Sequence, residues 1–237
     1  MTPSGPTAYD VAHHYDDAYF GDLADRYSRR TRFARIRMRN VFSLMPDPAG
    51  LVIVDVGCGM GTFTIEAARR GGHVVGIDAA PAALAAARRV AAEERIPGAR
   101  FVRADAARLP VARGVADVVL AADLIEHLDD DTLGHVLAEA RKALRPRGWL
   151  VLYTPERAHL FERLRARGIL RDADPSHIGL RSATELSAAV KRAGFEIISL
   201  AFLPSHLPGW SLLELAFARW VPLLRRRIGL VARVEDS

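Results

Sequence analysis

The chain has a single cysteine, Cys58, in 237 residues. That excludes an internal disulfide framework and a zinc site built from several thiolates, and makes a reduced, cytosolic setting the default expectation. It has two lysines, Lys142 and Lys191, so nearly all of its 33 basic residues are arginine. Against 28 acidic residues this leaves a net charge of +5. A surplus of that size speaks to non-specific attraction and not to fold. In a chain this rich in alanine and arginine it more often reflects composition than a polyanion partner, and no nucleic-acid partner is favoured. No apolar run approaches the ~18 residues that would span a bilayer. The opening MTPSGPTAYDVAHHYDD lacks the basic start and apolar stretch of a signal peptide. Internal repeats, low-complexity linkers and the Gly-Lys-Ser/Thr of a phosphate-binding loop are also missing.

What is present is alternation. Short β-branched runs, LVIVDV (51–56), HVVGID (73–78), ARFVRAD (99–105), VADVVLAAD (115–123), WLVLYT (149–154), EIISLAF (196–202) and IGLVARV (228–234), read as seven strands. Helical patterns fall between them, near 61–70, 81–94, 131–144 and 182–195. Pro81 suits the first turn of its helix. Ser182 followed by Glu185 is a capping-box pattern, and Pro146–Gly148 reads as the turn before the fifth strand. The alternation predicts an α/β fold, a doubly wound, Rossmann-like parallel sheet covered on both faces. In such sheets ligands bind beyond the carboxyl ends of the strands, where the winding reverses. Asp55, Asp78, Asp105 and Asp123 all fall at predicted carboxyl ends.

The stretch VDVGCGMG (54–61) places Gly57, Gly59 and Gly61 at a strand-to-helix turn. Glycine there permits positive φ and lets a ligand approach the backbone. The spacing is G-x-G-x-G, not the G-x-G-x-x-G that seats a pyrophosphate on a helix N-terminus, and Asp55 would repel a phosphate. Asp78 is placed to accept from vicinal ribose hydroxyls, and Asp105 from an exocyclic adenine amine. The ligand so described is an adenosine without phosphates that carries a cationic group.

Five stretches in this order, VDVGCGMG, VVGID, RADAARLP, DLIEHLDD and LRPRGWLVL, resemble the class I S-adenosylmethionine-dependent methyltransferases, over about residues 50–155. The likeness continues more loosely through HIGLRSATELSAAVKRAGFEI and is nearest to the small-molecule O- and C-methyltransferases of ubiquinone and menaquinone biosynthesis type. The resemblance implies a seven-stranded sheet with the last strand antiparallel, a helical cap over residues 1–48, and a core over 49–237. It implies S-adenosyl-L-methionine as cofactor. Gly57, Gly59 and Gly61 would lie under its methionine and ribose, with Cys58 between them, and Asp55 would orient the ammonium group. Asp78 and the neighbouring Ala79 would serve the ribose, Asp105 and Ala106 the adenine, and the backbone at Asp123 the amino-acid end. Cys58 also reads simply as a small buried hydrophobe.

A hydroxyl acceptor needs a base, whereas a carbon or amine acceptor needs less help. His127, just past the fourth strand, is the candidate, either as general base or as a structural hydrogen-bonder. His177 is a second candidate for that role, or a residue that caps or tethers a loop over the sheet. The acids Glu126, Asp129, Asp130 and Asp131 suit the first turn of a helix better than a metal, so no metal is expected. Tyr9, Tyr15, Tyr19, Phe20 and Tyr27 either line an acceptor pocket or pack the cap. The run Arg29, Arg30, Arg32, Arg35, Arg37 and Arg39 either meets phosphate or is the solvated face of a helix, the commoner case. The segment 203–227, with Trp210, Leu212, Leu213, Leu215, Phe217 and Trp220 and then Arg225, Arg226 and Arg227, is an apolar helical insertion. It reads as a lid over a lipophilic small-molecule acceptor, a homodimer surface, or a peripheral membrane contact with basic residues at the headgroups. Rival functions are an RNA methyltransferase, a nicotinamide-dependent oxidoreductase and a non-catalytic cofactor binder. The Asn/Asp-Pro-Pro-aromatic motif of base-amine methylation is absent after the fourth strand, and the loop spacing disfavours a dinucleotide.

Overall fold

A computed structural model describes residues 31–169, 176–205 and 209–234. Seven strands form one sheet: β1 (Val52–Val56), β2 (His73–Asp78), β3 (Ala99–Arg103), β4 (Ala116–Ala122), β5 (Leu144–Pro155), β6 (Phe195–Leu203) and β7 (Arg227–Val234). Their order is β3-β2-β1-β4-β5-β7-β6. The first five are parallel, and β7 runs antiparallel to both β5 and β6. The seven-stranded sheet with its reversed last strand is therefore present as expected. The winding reverses between β1 and β4, which puts the switch point beside the glycine loop.

Burial explains the strand sequences. Every residue of β4, Ala-Asp-Val-Val-Leu-Ala-Ala, is buried, as expected of a central strand covered on both faces. The edge strand β3 carries Arg100 and Arg103 into solvent. Helices α1 (Arg32–Phe42), α2 (Thr62–Arg69) and α3 (Pro81–Glu93) precede α4 (Asp130–Ala143), α5 (Leu160–Ala166), α6 (Ala183–Arg192) and α7 (Trp210–Phe217). Leu133, Leu137, Leu186 and Val190 of α4 and α6 pack on one side of the sheet with Leu150 and Leu230. On the other side Val41 of α1 and Phe63 of α2 pack with Ile53, Leu120 and Tyr153.

Local signals account for most helix starts. Pro81 opens α3, and Asp129 caps α4 by accepting from Thr132 N at 2.7 Å. Ser182 and Glu185 form the reciprocal capping box of α6. One boundary differs. The turn expected at Pro146–Gly148 is an irregularity inside β5: Ala116 pairs with Leu144 but Val118 with Trp149, and Arg147 takes φ +62 to close the gap. Helix α5 was not expected. It starts where the His159 ring accepts from Phe161 N, a cap outside the usual Ser/Thr/Asp/Asn set. Among the described residues no helix is long and apolar enough to cross a membrane. Arg29, Arg30, Tyr9, Tyr15, Tyr19, Phe20 and Tyr27 lie outside the described residues.

Candidate active site

The loop after β1 is built by backbone bonds. Gly57 N and Cys58 N both donate to Ile77 O, at 2.8 and 3.0 Å, which pins the loop to the end of β2. All three glycines have positive φ, but they do different jobs. A Cβ at Gly57 would come within 2.8 Å of Leu124, and one at Gly61 within 2.7 Å of the Phe101 ring, so these two are required by packing. A Cβ at Gly59 would meet nothing within 4 Å. Of the three, Gly59 is the one whose open side faces free space.

Asp78 stands beside it. Its Oδ2 accepts from Gly59 N and its Oδ1 from Ala80 N, both at 2.8 Å. Each oxygen keeps a further acceptor site, so a vicinal diol can donate to both. Burial pushes this carboxyl up, and the backbone N–H bonds offset part of that. Asp105 is exposed at the rim, with Oδ1 accepting from Ala107 N at 2.9 Å and Ala106 half-buried between them. Ala79 lies in the Asp78 turn. An open glycine, a diol-binding carboxylate held by two amides and an exposed acid on the next strand suit a nucleoside ligand.

Asp55 is 1 % exposed, and its Oδ2 accepts from the Thr64 hydroxyl at 2.6 Å. Burial pushes its carboxyl up to about 6, with the Thr64 bond opposing. It lies beneath the loop and not on its open side. Cys58 is buried too, with Sγ in the space a Cβ at Gly76 would need. Burial pushes its thiol well up, so it packs as a small hydrophobe.

At the end of β4 the chain turns through Asp123, at φ +55. Both carboxylate oxygens are occupied: Arg37 of α1 bonds Oδ2, and Arg227 at the start of β7 bonds Oδ1 at 2.6 Å. Burial alone would raise this carboxyl, but the two guanidiniums outweigh it and hold it low. Leu124 then presses on Gly57, and residues Ile125–His127 make one 3-10 turn. Within it Glu126 is buried, accepts from the Thr154 hydroxyl at 2.9 Å, and lies 3.9 Å from Arg227. Burial, with Asp123 adding to it, pushes its carboxyl to about 8, so it is largely protonated at neutral pH.

His127 Nδ1 lies 3.2 Å from Ser176 O and 2.9 Å from Ser176 Oγ. A carbonyl only accepts and a hydroxyl does either, so the Ser176 O contact is a hydrogen bond in the tautomer with the hydrogen on Nδ1, which leaves Nε2 as the basic nitrogen. The ring is edge-on to His177, 4.9 Å between centroids, and is in electrostatic contact with Asp78 and Asp123. Ligand atoms of Glu126, His127 and His177 lie within 4.8 Å of one another. The acids that follow are used elsewhere: Asp129 caps α4 and Asp130 pairs with Arg181 at 2.7 Å.

Five supporting residues escape a sequence reading. Arg181 donates to Ile125 O, Leu128 O and Gly179 O, clamping the segment of Ser176 and His177 under the 3-10 turn. Gly179 is needed there because a Cβ would fall 1.9 Å from Leu128 O. Arg37 is the exception on α1. Arg32, Arg35 and Arg39 lie on the exposed face as expected, but Arg37 turns inward to Asp123. Arg226 and Arg227 likewise turn inward, onto Glu162 and Asp123, and not outward to headgroups as the membrane reading required of them. Spacing hints at Arg37, which is off the three-and-four rhythm of its exposed neighbours; nothing local marks the others.

A protein-family model described as a methyltransferase domain matches residues 53–148. A ubiquinone biosynthesis O-methyltransferase of Albidiferax ferrireducens is 31% identical over 153 residues, 63% of this chain and 56% of that protein. The chain thus spans just over half the length of that relative. A ubiquinone biosynthesis O-methyltransferase of Pseudomonas aeruginosa is 31% identical over 209 residues, 81% of this chain and 88% of that protein. Among solved structures, a geranyl diphosphate C-methyltransferase of Streptomyces coelicolor, in complex with magnesium, geranyl diphosphate and S-adenosyl-L-homocysteine, superposes with a TM-score of 0.64 at 18% identity. That likeness covers 83% of this chain and 78% of that one and concerns the fold alone.

Proposed function

Because the chain belongs to the S-adenosylmethionine-dependent methyltransferase family, we propose that it moves a methyl group onto a hydroxyl oxygen of a small, lipophilic acceptor, with His127 taking the hydroxyl proton. The observation that carries this reading is the anchoring of His127 on Ser176, in electrostatic contact with Asp78 and Asp123, which sets the ring beside the cofactor cradle. Relatives named as O-methyltransferases favour oxygen over carbon or nitrogen. The exposed apolar residues Leu212, Leu215 and Phe217 of α7 and Trp220 favour a lipophilic acceptor. With Arg226 and Arg227 directed inward, this face is assigned to the acceptor in preference to a bilayer or a second copy.

When bound, S-adenosylmethionine supplies a methyl carbon already activated on a sulfonium and open to in-line displacement. Alignment, exclusion of water and handling of one proton fall to the chain. Asp78 and the open face of Gly59 hold the nucleoside end. Leu124, packed on Gly57, closes the floor between β1 and β4. His127 Nε2 accepts the hydroxyl proton as the oxygen–carbon bond forms, and Asp78 and Asp123 face the charge it gains.

The test is His127→Ala assayed on an alkylated catechol. Loss of the base predicts a fall in kcat of about 10²–10⁴-fold, with the affinity for S-adenosylhomocysteine unchanged. Turnover at the parent rate would remove His127 from the reaction.

A further inference from the structure

Beyond the ends of β5 and β6 lies a shallow notch open to solvent, with a cavity volume of about 20 Å³, whose lining includes Phe33, Arg37, Tyr153, Ser205, Arg226 and Arg227. It is far too small for a whole lipophilic molecule, since such sites usually run from about 300 to 1,000 Å³. A head group would meet the guanidiniums at its mouth. Resting on the methyltransferase reading above, we propose that the acceptor is an amphiphilic anion, whose carboxylate or phosphate head is received by Arg37, Arg226 and Arg227 and whose apolar part runs out toward α7.

Charge balance carries the inference. Asp123 is shared by Arg37 and Arg227, and Glu162 by Arg165 and Arg226, so four guanidiniums meet two ionised carboxylates. Of the other nearby acids, Glu126 is largely protonated at neutral pH, while Glu214, which accepts from Ser205 N, is held below the usual carboxylate range and adds one negative charge, so the surplus is one guanidinium. The side chains of Arg37, Arg226 and Arg227 are only 14 to 16% exposed, so this excess charge is withdrawn from water. Surplus buried charge is costly without a counter-ion. The strain is visible at Arg226, where burial and then the adjacent Arg227 pull the guanidinium below its ordinary value. Arg37 Nε is buried and has no hydrogen-bond acceptor among the described residues. A planar guanidinium with spare donors is the group that pairs best with carboxylate or phosphate.

Position links this pocket to both halves of the acceptor. Arg37 also lies over the ring of Phe63, in the first turn of α2 behind the glycine loop, 5.1 Å from its centroid, so the pocket borders the cofactor cradle. On the other side Ser205 N donates to the buried Glu214 Oε2 of α7, and Phe161, under Arg226, stacks on Trp210 at 5.5 Å. Glu214, the acidic residue of α7, is thereby turned inward, and the face bearing Leu212, Leu215 and Phe217 is left apolar and exposed.

The experiment uses the full chain saturated with S-adenosylhomocysteine and titrated calorimetrically with decyl phosphate, decan-1-ol and inorganic phosphate, below the micellar range. Decyl phosphate is expected to bind at least about tenfold more tightly than either of the other two. Arg37→Gln and Arg226→Gln each leave the shared carboxylate one arginine, so both variants are expected to fold. Each should weaken decyl phosphate about tenfold while leaving decanol and S-adenosylhomocysteine within about twofold, and Arg37→Lys should recover part of the loss. Equal binding of decanol and decyl phosphate, no binding of decyl phosphate, or variants that bind it like the parent would overturn the proposal. Inorganic phosphate binding as tightly as decyl phosphate would overturn the amphiphile and leave a simple anion site. Absence of methyl transfer to any hydroxyl, with head-group binding intact, would tell against the methyl-transfer reading alone.

Discussion

The two sides of the switch point are assembled in opposite ways. On the β1–β3 side the deciding bonds join residues close in sequence: Thr64 to Asp55, 9 apart, Gly59 to Asp78, 19 apart, and Ala80 to Asp78 and Ala107 to Asp105, each 2 apart. On the β4–β7 side they join Arg37 to Asp123 across 86 residues, Arg227 to Asp123 across 104, and Arg226 to Glu162 across 64. The first side is a motif, and in the reading proposed above it would hold the cofactor. The second is a product of tertiary packing, and in that reading it would face the acceptor. Change in the cap or in the segment before β7 can therefore remake the acceptor side without touching the cofactor loop.

Substitutions can break that contrast from the local side. Gly61→Ala should have the largest effect on stability, because a Cβ would sit 2.7 Å from Phe101 in a left-handed backbone. Left-handed strain plus overpacking predicts a loss of roughly 3 kcal/mol, read as a lower Tm or denaturant midpoint. Gly59→Ala has the same kind of φ but open space, so only about 1 kcal/mol is expected, with the damage appearing in cofactor affinity instead. Equal stability losses in the two variants would show that the glycines do the same job after all.

Asp78→Ala comes next. It removes the carboxylate that two backbone amides orient, and loss of bonds to a charged acceptor predicts about 100-fold weaker S-adenosylhomocysteine binding, roughly 2.7 kcal/mol. Head-group binding at Arg37 and Arg226 should change little, since the two sides are built separately. A comparable loss of decyl phosphate binding would join what the contrast keeps apart.

A pH effect sharpens the long-range side. Glu126 is raised from 4.5 to about 8 in the folded chain, so the folded state holds a proton that the unfolded chain releases. Its contribution is fully present below about pH 4.5 and is lost as pH rises toward 8. Stability should therefore fall between pH 6 and 8, by up to about 1.4 kcal/mol per pH unit. Glu126→Gln, which keeps an acceptor for Thr154, should flatten the slope. A parent protein whose Tm rises over that interval would contradict the protonated state assigned to Glu126.

Legibility follows the same divide. The strands, the capping box at Ser182 and Glu185 and the loop at Gly57, Gly59 and Gly61 were readable because hydrophobic period, capping and positive φ are local properties. The different reasons behind the three glycines were not, because Leu124 and Phe101 reach them from other strands. Nor was the irregularity of β5 at Arg147, which answers a pairing register with β4. Arg37 read as one more charge in a solvated run, since a guanidinium's partner is invisible until α1 is laid across the end of β4.

By itself, then, the sequence determined the doubly wound sheet, the helices that follow β1, β2 and β4 and the glycine loop with its neighbouring acids, because each is encoded within a turn or a strand of its own residues. Only the tertiary structure decided which arginines are withdrawn from solvent, what anchors His127 and which face of α7 stays bare. The first two outcomes depend on partners 49 to 104 residues away, and all three on burial; desolvation, which sets the strength and sign of charge interactions, exists only once the chain has packed.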